Sequence, residues 1–307
     1  MKPLRIVFMG SPDFAVPALE EIIHSDHEIA AVVTGEDKRR RRRGMPEPTP
    51  VKKTAHQNNL PVIETDDVKS EEFEKQLSKL DADLYVVVAF KILPETILAL
   101  PRIGSVNLHA SLLPKYRGAA PIHWAIINGE TETGCTVFFL DKGVDTGKIA
   151  GRVSTPIEPD ETTGEVYNRL MELGASLLVR CLNDIATDDI QLTEQDHSKA
   201  SPAPKLCKEN TRIDFTKPAG SVHNLVRGLN PFPVAWCMYG DQKMNIYKTS
   251  VSNKKNLKPG ELNFEDGKLF AGCDEGSVDL LSVQLPGTKQ LSGSEFANGY
   301  DTSIVLE

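Results

Sequence analysis

The stretch Leu4-Arg5-Ile6-Val7-Phe8-Met9-Gly10-Ser11-Pro12-Asp13 decides the fold. Leu4 to Met9 is an apolar, β-rich run interrupted only by Arg5, and the next four residues are turn formers. Phe14, Val16, Leu19, Ile22 and Ile23 then recur at roughly helical spacing, so the chain opens as strand, turn and helix. Outward from there, the pattern predicts strands over 29–34, 84–89, 104–109 and 135–140. It predicts helices over 67–80, 121–128 and 161–186, the last with Val166, Leu170, Leu173, Leu177 and Leu178 turned inward. Such alternation implies an α/β fold, a mostly parallel sheet with helices on both faces.

Residues 193–208 lack apolar periodicity and carry two prolines, which reads as a linker. A short helix near 219–229 precedes strand-like runs over 235–239, 244–251, 269–271 and 278–283, so a small β-barrel or sandwich is expected. The expected division is a catalytic domain over 1–189, a linker over 190–208 and a β-domain over 209–307.

Composition narrows the function. Of 307 residues, 40% are hydrophobic and 25% charged, which excludes a wholly disordered chain. No apolar stretch approaches the roughly 20 residues that span a bilayer, and the N-terminus lacks a secretory pattern, so a cytoplasmic protein is expected. Five scattered cysteines suggest neither a disulfide framework nor a metal site. The net charge of −8 argues against a general nucleic-acid binder, so any RNA contact must be local. One glycine in the first turn, where a dinucleotide fingerprint needs three, excludes that reading and leaves an ordinary turn or a substrate contact by its amides.

The informative segment is Ser105-Val106-Asn107-Leu108-His109 and the loop that follows it, Ala110 to Ala120. In a strand, Asn107 and His109 share one face at the carboxyl end, where open α/β sheets bind ligands. Downstream, Leu140-Asp141-Lys142-Gly143-Val144-Asp145-Thr146-Gly147 presents Asp141 or Asp145 from a tight loop. An amide, an imidazole and a carboxylate suit acyl transfer to an amine, with proton removal, oxyanion stabilisation and orientation divided among them. The plain alternative is a strand-end histidine satisfied by backbone. A zinc site is disfavoured because no second histidine stands at metal spacing, and His123 reads as structural.

These residues also carry a resemblance. Asn107-Leu108-His109, Ser111-Leu112-Leu113-Pro114-Lys115-Tyr116-Arg117-Gly118 and Asp145-Thr146-Gly147 resemble the signature of formyltransferases that use 10-formyltetrahydrofolate. Phe8 to Asp13, Ala203-Pro204-Lys205, Ile213-Asp214-Phe215 and Arg227-Gly228-Leu229-Asn230-Pro231-Phe232-Pro233 extend it over nearly the whole chain. The resemblance implies a Rossmann-like catalytic domain, an OB-like barrel and Asn107, His109 and Asp145 as the catalytic trio. It also implies tetrahydrofolate contacts from Ser111, Leu112, Leu113 and Pro114, and a pterin-pocket segment containing Val88, Phe90 and Leu93, where Lys91 replaces a common glycine. No metal is expected.

The tract Lys38-Arg39-Arg40-Arg41-Arg42-Arg43 lies in a loop of about sixteen residues. A charge run is most often a solvated face, but six adjacent cations on an acidic chain also make a phosphate tether. By resemblance the tract enters the acceptor arm of initiator methionyl-tRNA, with Arg43 at the key position. Lys243, Lys248, Lys254, Lys255 and Lys258 fall in a stretch free of acidic residues, which fits a solvated strand face or a stripe for RNA phosphates. The barrel's implied support of tRNA favours the stripe. The expected reaction is formylation of the methionine amino group on that tRNA by a monomeric enzyme.

Overall fold

The computed structural model describes residues 2–38, 45–252 and 257–307. The order of elements is β1 (Arg5–Gly10), α1 (Val16–Ile23), β2 (Glu28–Thr34), α2 (Pro50–Gln57), β3 (Val62–Glu64), α3 (Glu71–Ser78) and β4 (Leu84–Val88). Next come α4 (Glu95–Leu98), β5 (Gly104–His109), β6 (Arg117–Gly118), α5 (Pro121–Ile127), β7 (Glu132–Phe139), β8 (Ile149–Pro156) and α6 (Thr163–Ala186). The chain ends with β9 (Pro202–Ala203), α7 (Ala219–Gly228), β10 (Ala235–Tyr239), β11 (Gln242–Ser252), β12 (Leu262–Glu265), β13 (Lys268–Gly272), β14 (Ser277–Gln284) and α8 (Gly293–Gly299). Two compact units result, one of residues 1–118, 134–155 and 167–202, the other of residues 119–133, 156–166 and 203–307.

In the first unit seven strands run in the order β3-β2-β1-β4-β5-β7-β8. The pairs from β3 to β5 are parallel, and β7 runs antiparallel to β5, so the sheet is mostly parallel as the alternation implied. Alternate residues Val7, Met9, Tyr85 and Val87 pack against Phe73 and Leu77 of α3 and Ile97 of α4. Their neighbours Ile6, Phe8, Val86 and Val88 are equally buried on the other face, which is why these strands read as continuous apolar runs. Strand order reverses between β1 and β4, and open sheets of this kind bind ligands outside the strands' carboxyl ends near such a switch point. Gly10 is needed there, since a Cβ would meet the Ala15 Cβ at 2.8 Å and the Val88 carbonyl at 3.0 Å.

Several boundaries moved for local reasons. The helix expected over 67–80 covers only Glu71–Ser78, because Ser70 caps it by accepting from the Phe73 amide. β4 stops at Val88 because Ala89 turns to φ 47°. β8, α2, β3, β12 and α8 were not read from the sequence. β8 carries Gly151 and Arg152 and is half exposed, so it lacks clean alternation.

In the second unit the antiparallel order β10-β11-β14-β13-β12 encloses a core of Val222, Val226, Met244, Ile246, Leu269, Leu280 and Phe296. The last residues draw the sheet's two edges together. Glu307 exchanges backbone hydrogen bonds with Met238 of β10, and the Leu306 amide donates to the Gly260 carbonyl just before β12. That is the OB-like closure. None of the five cysteines is bridged, and burial pushes the thiols of Cys135 and Cys237 up to about 12.

Candidate active site

β5 delivers the first two groups. Leu108 faces α6, where Gly174 approaches its side chain so closely that a Cβ would lie 3.0 Å away. Asn107 and His109 therefore point to the opposite face. His109 is buried, 7% exposed, and its ring stands nearly perpendicular to that of Phe138, with 6.4 Å between the ring centres. Its Nε2 lies 2.9 Å from the Tyr116 carbonyl, which can only accept, so Nε2 carries the proton and the neutral ring leaves Nδ1 bare. The bond that orients the ring thus comes from Tyr116.

The loop after β7 delivers the carboxylate. Asp145 Oδ2 stands 3.8 Å from His109 Nδ1, too far for a hydrogen bond and close enough to stabilise an imidazolium. The same oxygen accepts from the Gly118 amide at 2.8 Å. Asp145 holds φ at 54°, a left-handed backbone that most L residues avoid and that Asp tolerates better than most. Asp141, the other candidate in this loop, is occupied structurally, accepting from the Gly143 amide and the Thr146 hydroxyl. The structure therefore brings Asp145, and not Asp141, to the imidazole.

The expected folate-binding residues divide. Phe90 is half-buried and packs, with Leu98 and Leu140, against a core cluster that contains Leu93 and Ile97. Val88, Ser111 and Leu113 are buried within the protein itself. The Ser111 hydroxyl donates to the Lys115 carbonyl, its own carbonyl accepts from Thr136, and Leu113 packs on Phe138 and Ile149. Leu112 and Pro114 stay half exposed. A cavity of about 760 Å³ is lined by the loop, over 140–143 and 146–148, together with Ile103, Ile185, Leu192 and His197. Among the described residues no group of three His, Cys, Asp or Glu side chains is placed to hold a metal.

Lys91 is engaged by Asp66. Its Nζ donates to Asp66 Oδ1 at 2.9 Å and to the Thr65 carbonyl at 3.1 Å, while Lys38 pairs with Asp66 Oδ2 at 3.1 Å. Lys91 first, and Lys38 second, hold the Asp66 carboxyl down to about 2. Lys38 is the one residue of the cationic tract that is described. Arg39, Arg40, Arg41, Arg42 and Arg43, like Lys254 and Lys255, lie outside the described residues.

In the second unit, Lys243 and Lys248 project from β11. A bulge between Ile246 and Thr249 shifts the register, so Tyr247 and Lys248, adjacent in sequence, are both turned away from the core. Lys243 is not alone. Its ammonium, that of Lys208 and the Arg212 guanidinium lie 5.2, 5.5 and 5.6 Å from the Trp236 ring centre. Three exposed cations around one buried indole make a compact basic site that the linear sequence divides between two segments. His123 Nε2 lies 3.3 Å from the Phe232 carbonyl, and burial lowers its pKa, in keeping with a structural histidine.

A doubly wound sheet with an imidazole and an amide at the carboxyl end of β5, and a carboxylate brought to them by the loop after β7, defines a group-transfer enzyme of the α/β class. The chain belongs to the formyl transferase family, matching the formyl transferase domain over residues 4–182 and the formyl transferase C-terminal domain over residues 205–301. It is 44% identical over 305 residues to a methionyl-tRNA formyltransferase of Chlorobium phaeovibrioides, covering 97% of this chain and 96% of that one. It is 43% identical over 302 residues to a methionyl-tRNA formyltransferase of Acetivibrio thermocellus, covering 97% of each. Among solved structures, an N-formyltransferase from Helicobacter canadensis, in complex with folinic acid and dTDP-3-aminofucose, shares the fold. Its TM-score is 0.67 at 20% identity, over 90% of this chain and 98% of that one.

Proposed function

We infer that this chain transfers the formyl group of 10-formyltetrahydrofolate to the amino group of methionine on initiator methionyl-tRNA, giving N-formylmethionyl-tRNA for translation initiation. The observation that carries the chemistry is the 3.8 Å approach of Asp145 Oδ2 to a His109 Nδ1 left bare by the Nε2 contact with Tyr116. Near-full-length identity above 40% to methionyl-tRNA formyltransferases supports the acceptor.

The chain's own groups divide the work. The bare Nδ1 of His109 takes a proton from the attacking amine, and the Asp145 carboxylate stabilises the imidazolium that results. The Asn107 amide, on the same face of β5, donates to the oxygen on which negative charge develops. The proton held on His109 then returns to the nitrogen that leaves the formyl carbon, which balances the transfer. The half-buried side chains of Phe90, Leu98 and Leu140, at the margin of that core, offer an aromatic pterin an apolar surface, and the bound folate supplies the activated formyl group. No metal enters these steps.

The basic tract from Lys38 to Arg43 serves the tRNA, together with Lys243, Lys248, Lys254 and Lys255. Lys208 and Arg212 join Lys243 in that role. The working division is a catalytic domain over 1–189, a linker over 190–208 and a tRNA-binding barrel over 209–307. The enzyme acts as a monomer in the cytoplasm, and among the described residues no helix is long and apolar enough to cross a membrane.

Single-turnover transfer of labelled formyl with saturating substrates tests the site. His109→Ala is expected to lower the rate by about 100-fold or more, and Asn107→Ala by about 100-fold. Transfer by His109→Ala within threefold of wild type would remove the imidazole from the mechanism.

A further inference from the structure

Three consecutive residues, Tyr116, Arg117 and Gly118, each hold one part of the site. The Tyr116 carbonyl meets His109 Nε2, and the Gly118 amide donates to the Asp145 carboxylate. Between them, Arg117 reaches into the segment that lacks apolar periodicity. Its Nε and Nη2 donate to Gln195 Oε1 at 3.2 and 2.6 Å.

With its oxygen so engaged, Gln195 presents its amide nitrogen to the catalytic loop. Nε2 donates to the Asp145 carbonyl at 2.9 Å and to the Gly147 carbonyl at 2.8 Å, bracketing Thr146. The orientation is forced from both sides. A guanidinium only donates and a peptide carbonyl only accepts, so a flipped amide would set donor against donor and acceptor against two acceptors. Gln195 is 5% exposed, so water offers little substitute for the bonds it makes. The segment is itself anchored two residues earlier, where Thr193 and Ile149 exchange backbone hydrogen bonds.

The loop needs such a bracket. Asp145 holds a left-handed backbone without being glycine, and a return to φ below zero would swing the carboxylate away from His109. The Gly118 amide constrains only the carboxylate end. The Gln195 amide constrains the Asp145–Thr146 and Gly147–Lys148 peptides.

We propose that Gln195 is a positioning residue for the formyl transfer: its amide brackets the Asp145 and Gly147 carbonyls and so holds the Asp145 carboxylate beside His109, while Arg117 fixes the amide's direction. This rests on the reading of Asp145 as the partner of His109. The nearest rival is a residue that merely stabilises the fold.

A double-mutant cycle separates them. Gln195→Glu keeps the volume and a partner for Arg117 but removes both donors to the loop, and Gln195→Met removes every polar contact. Each is made alone and with Asp145→Asn, and formyl transfer to methionyl-tRNA is measured with 10-formyltetrahydrofolate, alongside thermal unfolding. The expected result is a kcat lowered by about 10- to 100-fold in the folded Gln195→Glu enzyme, with both KM values within about threefold of wild type. In the Asp145→Asn background the same change should cost less than about twofold, because the group it positions is already gone. Losses that multiply in the double variant, or a kcat within twofold of wild type in Gln195→Glu, would overturn the proposal. Wild-type turnover by Asp145→Asn alone would instead remove the reading of Asp145 on which it rests, and the proposal with it.

Discussion

Replacement of Gly147 by alanine probes the catalytic loop with a single methyl group. A Cβ at this position would lie 1.8 Å from the Phe139 carbonyl oxygen and 3.0 Å from its carbon. Carbon and oxygen settle at no less than about 3.3 Å, so one side must yield by roughly 1.5 Å. Phe139 belongs to β7, paired with Val106 of β5, and its amide donates to the Lys148 carbonyl. The loop carrying Asp145 is the softer partner and is the side that moves. A displacement of about 1 Å at a reacting centre costs on the order of 100-fold in rate, equivalent to about 3 kcal/mol of transition-state stabilisation. The overpacking itself should cost about 1–3 kcal/mol of folding stability. Gly147→Ala should therefore remain folded, with its denaturation midpoint lowered, and transfer formyl about 100-fold more slowly in single-turnover assays. A rate within threefold of wild type in the folded variant would refute the claim that Asp145 must stand where the structure places it.

The remaining predictions address the scaffold and the basic surface. Leu113→Ala leaves a void against Phe138 and Ile149 and should cost about 2–4 kcal/mol in urea denaturation; a loss under about 1 kcal/mol would show that this side chain is not the core residue described. Asp66, whose carboxyl is held down to about 2, contributes stability that is complete above the ordinary carboxylate pKa of 3.8 and is lost as pH falls toward 2. Because its side chain is 38% exposed, the screened contribution is roughly 1 kcal/mol. Wild type minus Asp66→Asn, followed by urea denaturation, should show that difference at pH 5 and not at pH 2, and a constant difference would contradict the linkage. Alanine at Lys208, Arg212 or Lys243 should weaken tRNA binding and flatten the dependence of log affinity on log salt by about 1 for each phosphate no longer neutralised. Unchanged slopes would remove the Trp236 cluster from the RNA surface.

The parts of the molecule that were legible in the sequence are those whose signal is local. β1, β4 and β5 are short runs buried on both faces, and the turn chemistry from Gly10 to Asp13 marks where the first of them ends. The shared face of Asn107 and His109 follows from the two-residue period of a strand. α8 had a signal that was missed, since Ser292 and Glu295 form a capping box ahead of a helix weakened by glycine at both ends. Other features had none. Tyr116 and Gly118 act through backbone atoms, which carry no residue signature. Gln195 matters only because folding returns it to residues about fifty positions earlier, and a polar residue in an aperiodic segment looks the same with or without that contact. Choosing between Asp141 and Asp145 likewise required the loop's internal hydrogen bonds. The cations around Trp236 come from two segments that only the closure of the β-domain brings together.

The central claim is tested most directly by giving the purified enzyme labelled 10-formyltetrahydrofolate and two acceptors in competition, methionyl initiator tRNA and a nucleotide-linked amino sugar. Label should appear on the tRNA-bound methionine and vanish in the His109→Ala enzyme. Label on the sugar amine, with none on the tRNA, would contradict the assignment of the acceptor.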